Sequence, residues 1–230
     1  MTLLIATSTR GSPLTAPVSF GYCETKCALF HDIPGIEALP PSLGYQTDNI
    51  RARNRMAATV LRDFPHVTHV LWWDDDQWPE DRRIVQEMIA CGEDLVSAPY
   101  TNKRLPVTWV HQQLYPSPPM GEDGLQDVRA VGFGFTMTSR ACLEKMSANA
   151  RRYTDLPNPH KVANIFGMLY DAPVPGVAEE EEMLLSEDYS FCKRWRELGG
   201  KVKVYGRAGN IIYHAGGYPW SARDIPGSVE

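Results

Sequence analysis

Residues 67–73 (VTHVLWW) form an apolar run that stops on three consecutive aspartates, Asp74, Asp75 and Asp76. Large apolar groups on both alternating faces read as a strand buried between two layers, the pattern of a sheet covered by helices on each side. Three charges cannot continue into a core, so the chain must surface at the strand's carboxyl end. In open α/β sheets that is where ligands bind.

The surrounding order agrees with an α/β sheet. Residues 2–7 (TLLIAT) read as a first buried strand, residues 17–30 as a helix, and the Pro- and Gly-rich stretch 33–45 as a loop around one short strand. Residues 47–64 carry an amphipathic helix capped by Thr47 or Asp48, with Ile50, Ala57, Leu61 and Phe64 on its apolar face and Pro65 as its stop. Pro79 sits where proline favours the first turn of a helix, which is predicted to run to Cys91. Residues 95–98 give another strand. This β-α-β-α-β order predicts a parallel sheet with helices on its faces. The second half reads differently: strands over 107–115 and 125–138, a short helix over 139–148, and an irregular polar loop over 151–159. The acidic run 179–182 reads as a solvated turn. A helix over 187–198, stopped by Gly199 and Gly200, precedes strands over 201–205 and 210–214.

A length of 230 residues with 43% hydrophobic content allows a sizeable core in one domain. The formal net charge of −5 excludes a general nucleic-acid binder working through bulk electrostatics. Arginines still cluster locally at Arg51, Arg53 and Arg55 and at Arg151 and Arg152. No stretch reaches the roughly 20 apolar residues of a membrane span, and residues 1–9 lack the basic start and apolar length of a signal peptide. Five scattered cysteines fit a reduced, cytoplasmic setting rather than a disulfide framework. Cys23, Cys27 and His31 share one face of the expected helix, but no fourth ligand lies near, so a packed helix face is expected.

Three adjacent carboxylates repel one another, and a divalent cation offsets that repulsion well. Mg²⁺ and Mn²⁺ are hard ions that prefer carboxylate and phosphate oxygens. A solvated turn with Asp76 as a helix cap would need one aspartate, not three. The segment 70–76 (VLWWDDD) resembles the D-x-D motif of GT-A glycosyltransferases, read as Asp74-x-Asp76. The resemblance implies that Asp76 binds Mn²⁺ or Mg²⁺. It implies that Asp74 contacts the ribose or sugar or joins the metal, with Asp75 on the donor side.

Other segments carry the same resemblance. The pair Arg53-Asn54 on the preceding helix recurs in bacterial and phage proteins similar to family-2 glycosyltransferases. Asn54 lies four residues after Ile50 on the apolar side, and its amide reads equally as a structural hydrogen bond or a nucleotide contact. In 131–135 (VGFGF), Gly132 and Gly134 allow another backbone or a ligand to come close; similar transferases place this segment beside the donor sugar, and a strand bulge is the alternative. In 186–192 (SEDYSFC), Ser186 can cap a helix whose acidic first turn suits the dipole, while Asp188 shares the face of Phe191, Cys192 and Trp195. Similarity to the Glu-Asp motif of GT-A enzymes implies Asp188 as the base, with Glu187 as alternate. Residues 210–217 (NIIYHAGG) make a buried strand ending at His214, a metal ligand by resemblance, with Gly216 two residues on, or else a structural histidine. Pro219-Trp220 faintly resembles the tail of glycogenin-like retaining enzymes, but Tyr218 stands where those carry lysine.

The resemblance covers residues 2–216. It implies a GT-A, Rossmann-like fold: a mixed, mostly parallel central sheet flanked by helices, with a smaller acceptor-side β region. It divides a single domain over 1–230 into a donor-binding half to about residue 104, an acceptor half over 105–216, and a tail over 217–230. The implied reaction is metal-dependent transfer, with inversion, from a nucleotide-diphosphate sugar, UDP-sugars foremost. The acceptor is left open among glycan, lipid-linked sugar, protein and modified DNA base. Thr7, at the end of the first strand, is assigned to the nucleoside by position. Two rivals are a nucleotidyltransferase, for which 8–12 (STRGS) makes only a feeble phosphate loop, and a non-catalytic carbohydrate-binding shell. Asp76, Asp188 and His214 together speak against the latter.

Overall fold

The computed structural model describes residues 2–6, 36–38, 48–155, 160–172, 182–206, 211–216 and 219–225. Thr7, the 8–12 segment, the helix expected over 17–30 and the set Cys23, Cys27 and His31 lie outside the described residues. In chain order the elements are β1 (Leu3–Ala6), β2 (Ile36–Ala38), α1 (Asn49–Asp63), β3 (His69–Trp73), β4 (Gln77–Pro79), α2 (Arg83–Ala90), β5 (Leu95–Ser97), β6 (His111–Gln113), β7 (Leu125–Val131), β8 (Phe135–Ser139), α3 (Arg140–Asn149), β9 (Arg152–Thr154), β10 (Lys161–Ala163), β11 (Tyr170–Asp171), β12 (Met183–Leu184), α4 (Glu187–Glu197), β13 (Lys203–Tyr205), β14 (Ile212–Ala215) and β15 (Pro219–Trp220).

An eight-stranded sheet runs in the order β2-β1-β3-β8-β5-β13-β7-β6. Parallel pairing joins β2, β1 and β3, and joins β5 to β13. β8 lies antiparallel between β3 and β5, and antiparallel β7 and β6 complete the far side. The result is a mixed, Rossmannoid sheet rather than the mostly parallel one expected, because β8, β7 and β6 each run antiparallel to their neighbours. β3 carries core on both faces. Trp72 packs with Leu4, Ala52, Met56 and Phe133 toward α1, while Trp73 packs with Ile5, Ile84, Met88 and Phe135 toward α2. Each indole finds a partner for its N–H: Trp72 donates to Thr138 Oγ1 at 2.9 Å, and Trp73 to the Gln77 carbonyl at 2.6 Å. Burying about 150–250 Å² each, at about 25 cal/mol/Å², they contribute about 4–6 kcal/mol apiece before entropy is counted.

α1 forms where its pattern indicates. Asp48 caps it by accepting from the Ile50 N–H at 2.9 Å, and Arg62 suits the carboxyl-end dipole. Its fully buried residues include Ala52, Arg53, Asn54, Met56, Ala57 and Val60, while Ile50, Leu61 and Phe64 flank them. Four further sequence expectations need correction. The helix expected from Pro79 begins at Arg83, because Gln77–Pro79 instead pair with β14. Residues 125–138 are two strands with separate places in the sheet, joined through Gly132, Phe133 and Gly134. Within 107–115 only β6 is strand. The stretch expected as an irregular loop from Arg151 contains β9, which pairs with β10. Among the described residues, no helix is long and apolar enough to cross a membrane.

Candidate functional site

The three aspartates emerge at the carboxyl end of β3, between α1 and α4 on one side and β14 on the other. The Asp74 N–H donates to the Gly134 carbonyl at 2.9 Å, so the backbone is still held by the sheet there. The chain then turns into β4, whose register with β14 sets His214 opposite Gln77. The Ala215 N–H donates to the Asp76 carbonyl at 2.7 Å. Asp76 and His214 are neighbours for this reason, though 138 positions part them in sequence.

Their side chains meet in an unusual way. His214 Nδ1 lies 2.7 Å from the Thr101 carbonyl oxygen. A carbonyl only accepts, so Nδ1 carries the proton and Nε2 presents a lone pair. Burial holds the imidazole below its ordinary pKa, against the opposing pull of Asp76, which keeps it neutral at pH 7. Nε2 faces Asp76 Oδ1 at 3.7 Å, and that oxygen is buried without a hydrogen-bond partner among the described residues. The Nε2 lone pair thus faces a carboxylate oxygen that lacks a hydrogen-bond partner among the described residues. A divalent cation resolves such a pair, and a histidine ligand commonly donates its other N–H to a backbone carbonyl in this manner. Asp76 Oδ2 is paired with Lys103 Nζ.

The remaining carboxylates converge on one cation. Arg53 is 2% exposed in the buried stripe of α1. Its Nη2 lies 3.2 and 3.3 Å from the two Asp74 oxygens, its Nη1 lies 3.2 Å from Glu187 Oε1, and Nη1 also pairs with Asp188 Oδ1. The Phe133 N–H donates to Asp188 Oδ2 at 3.0 Å, and the Phe133 and Phe166 rings each sit 5.9 Å from the guanidinium carbon. Burial works against the charge on Arg53, but Asp188, Asp74 and Glu187 outweigh it and hold the guanidinium above its usual range. Burial pushes Asp188 up to about 7, opposed by Arg53 and reinforced by Glu187 and Asp74. A raised arginine speaks for a full ion pair, whereas a raised aspartate speaks against one. The two agree once the cluster is counted whole: one cation faces three carboxyls, so a buried carboxyl gains by holding a proton.

Asp75 is half-buried on the turn. Asn54 is committed to protein partners, donating to Asn164 Oδ1 and accepting from the Phe166 N–H, both at 2.9 Å. Gly132 and Gly134 are needed for close approach by side chains. A Cβ on Gly132 would collide with the Tyr100 hydroxyl and come within 2.9 Å of Val110 Cγ1; one on Gly134 would collide with the buried Gln77 amide. Tyr100, 5% exposed, cannot yield easily, since its hydroxyl accepts from the Gly134 N–H at 3.1 Å. Gly132→Ala is therefore expected to cost about 1–3 kcal/mol by overpacking, read as a lower urea midpoint at unchanged slope. An unshifted midpoint would mean Tyr100 moves freely.

Among the described residues, no three histidine, cysteine or acidic side chains are grouped as one metal ion would need. Asp76 and His214 stand side by side, and Asp74 belongs to the Arg53 cluster. The sequence reading did not find Lys103 or the bridging role of Arg53. Arg53 carried a signal: it lies three residues after Ile50 and four before Ala57, on the face that must be buried.

No protein-family model matches the sequence, and no curated protein does. Among solved structures, A197 from STIV is similar with a TM-score of 0.53 at 16% identity, over 94% of this chain and 86% of that one. HddC from Yersinia pseudotuberculosis matches at a TM-score of 0.30 and 9% identity, over 62% of this chain and 78% of that one, too distant to carry an argument. The likeness to A197 is one of fold alone, remote and Rossmannoid.

Proposed function

We propose that this chain is a metal-dependent glycosyltransferase that moves a sugar from a nucleotide-diphosphate sugar, UDP-sugars foremost, to an acceptor hydroxyl with inversion. The observation that carries the reading is the Asp76–His214 pair at the end of β3: His214 Nε2 lies 3.7 Å from an Asp76 oxygen that has no hydrogen-bond partner among the described residues. Mn²⁺ or Mg²⁺ fits them, with donor phosphate oxygens and water completing a shell of the kind these ions keep. When bound, the ion supplies charge stabilisation for the departing diphosphate.

The protein's own groups do the rest. Thr101 fixes the tautomer and direction of His214 through its carbonyl. Lys103, on Asp76, adds positive charge beside the diphosphate. Asp188, with a pKa near neutrality, takes the proton of the acceptor hydroxyl as that oxygen bonds to the anomeric carbon. The bond from that carbon to the diphosphate breaks, and the leaving nucleoside diphosphate keeps the electron pair. Arg53 holds Asp188 and Asp74 in one geometry from beneath.

The test is binding before turnover. In a thermal-shift panel of nucleotide sugars, donor plus Mn²⁺ should stabilise the protein by about 2.7 kcal/mol at a hundredfold excess over Kd. EDTA should abolish the shift. Asp76→Asn should lose the Mn²⁺-dependent part while its metal-free Tm stays close to the parent value, because Asp76 sits at a partly exposed strand end. An equal Mn²⁺-dependent shift in the variant would remove Asp76 from the metal site.

A further inference from the structure

A cleft of about 440 Å³ opens between α1, α3 and the β9–β10 ribbon. It lies toward the carboxyl end of α1, where Arg62 stands roughly 13 Å along the helix axis from Arg53. Small residues leave the space: Ala58 on α1, Ser147 and Ala148 on α3, and Ala163 on β10. The lining groups share one side of each element. Leu61 and Arg62 follow Ala58 at helical spacing on α1, and Arg140 and Glu144 share a face of α3 with Ala148. In the ribbon, Arg152 pairs with Ala163, and Lys161 precedes Ala163 by two positions. Both cations therefore project to the face that Ala163 turns toward the cleft.

The cleft is cationic in a chain whose net charge is −5. Arg62, Arg140, Arg152 and Lys161 line it, against one carboxylate, Glu144. Two of these cations are engaged. Arg140 donates to Glu144 and to the Leu61 and Phe64 carbonyls at the end of α1, and Arg62 pairs with Asp63. Arg152 and Lys161 are exposed and have no ion pair among the described residues. They are diagonal neighbours on one ribbon face, about 7–8 Å apart at the backbone, where long side chains meet and like charges repel. A phosphomonoester offsets both, since it carries close to two negative charges at pH 7. Its oxygens also suit the guanidinium fork and the lysine point charge. A monocarboxylate brings one charge for two. The volume is that of a small-molecule pocket, whereas a nucleic-acid strand or a membrane needs a longer track of cations. Glu144, 56% exposed, interrupts such a track. We infer that this cleft binds a small molecule bearing a phosphomonoester, held by Arg152 and Lys161. The inference is independent of the transfer reading, because the cleft shares no residue with the Asp76–His214 pair or the Arg53 cluster.

The intact chain, in EDTA to keep metal-bridged binding out of the measurement, should be titrated calorimetrically with a triose phosphate, a hexose phosphate and a nucleoside monophosphate. Each is run beside its dephosphorylated parent, with a single-stranded oligonucleotide and phosphatidylserine vesicles as separate arms. At least one phosphomonoester should bind while its parent compound does not. Arg152→Gln and Lys161→Gln should each weaken that binding roughly tenfold or more, the worth of one charge-assisted hydrogen bond. Arg104→Gln, which removes an exposed cation outside the cleft, should leave it unchanged. Both cleft variants should keep the parent Tm and the Mn²⁺-dependent thermal shift with the nucleotide sugar. The inference is overturned if no phosphomonoester binds better than its parent compound, or if the oligonucleotide or the vesicles are preferred. It is equally overturned if both cleft variants bind like the unsubstituted protein, or if Arg104→Gln weakens binding as much as they do. Absence of the Mn²⁺-dependent donor shift with phosphomonoester binding intact would instead defeat the transfer reading and leave the cleft standing.

Discussion

Asp188→Asn should lower sugar transfer by roughly 10²–10⁴-fold, the usual worth of a general base, while donor affinity barely changes. Asparagine keeps the shape and can still accept one hydrogen bond, from the Phe133 N–H or from Arg53, but it cannot take a proton at neutral pH. The pH profile gives a second reading. A base works only when unprotonated, and burial sets the Asp188 pKa at about 7. The parent rate should therefore rise as pH passes upward through neutrality, and the residual rate of the variant should not. Product analysis should show inversion at the anomeric carbon. A near-parental rate, or retained configuration, would remove Asp188 from the chemistry and leave Glu187 to be tested in its place.

Arg53→Met should cost about 3–5 kcal/mol of stability, because removing one member of a buried ionic group leaves the others uncompensated. Asp74, Glu187 and Asp188 have side chains 28%, 17% and 17% exposed, so water compensates them only in part. The sign with pH can be worked out. Arg53 lowers the Asp188 pKa, so without it folded Asp188 holds its proton still more tightly than an unfolded aspartate, which titrates near about 4. A carboxyl whose folded pKa is raised loses stability as pH climbs from the unfolded value to the folded one. The deficit of the variant should be largest above pH 7 and shrink toward pH 5, as read by denaturant midpoints at both. A loss under about 1 kcal/mol, or one equal at both pH values, would mean the guanidinium fills space rather than balancing charge. Arg53→Lys should recover part of the loss, since it restores charge but not the fork that reaches three carboxyls.

What could be read from sequence was local. β3 and its aspartates stood out because an apolar run meeting three charges has one physical resolution, and α1 stood out because its cap, stripe and proline stop agree. The errors came from long-range pairing. Pro79 has the local mark of a helix start, yet β14 claims it for a strand more than a hundred residues away in sequence. The break at Gly132 and Gly134 depends on Tyr100 and Gln77 pressing in from elsewhere. The Arg53 cluster joins residues 134 and 135 positions apart, and no spacing rule within one element reveals it. Of the basic cleft only Arg152 was marked in sequence, because its cations come from four elements that meet only once the chain is folded.

The paired indoles of β3 act as a ruler for the whole site. Trp72 and Trp73 project to opposite faces, into cavities of different lining, and each spends its N–H on a different partner. A slip of β3 by one residue would exchange the two faces, forfeit both hydrogen bonds and force each indole into the other's space. The same slip would draw Asp74 into the sheet or push it a residue beyond Arg53. Positional accuracy at the mouth is thus guaranteed by interior bulk: the two largest side chains of the strand calibrate where its charges emerge.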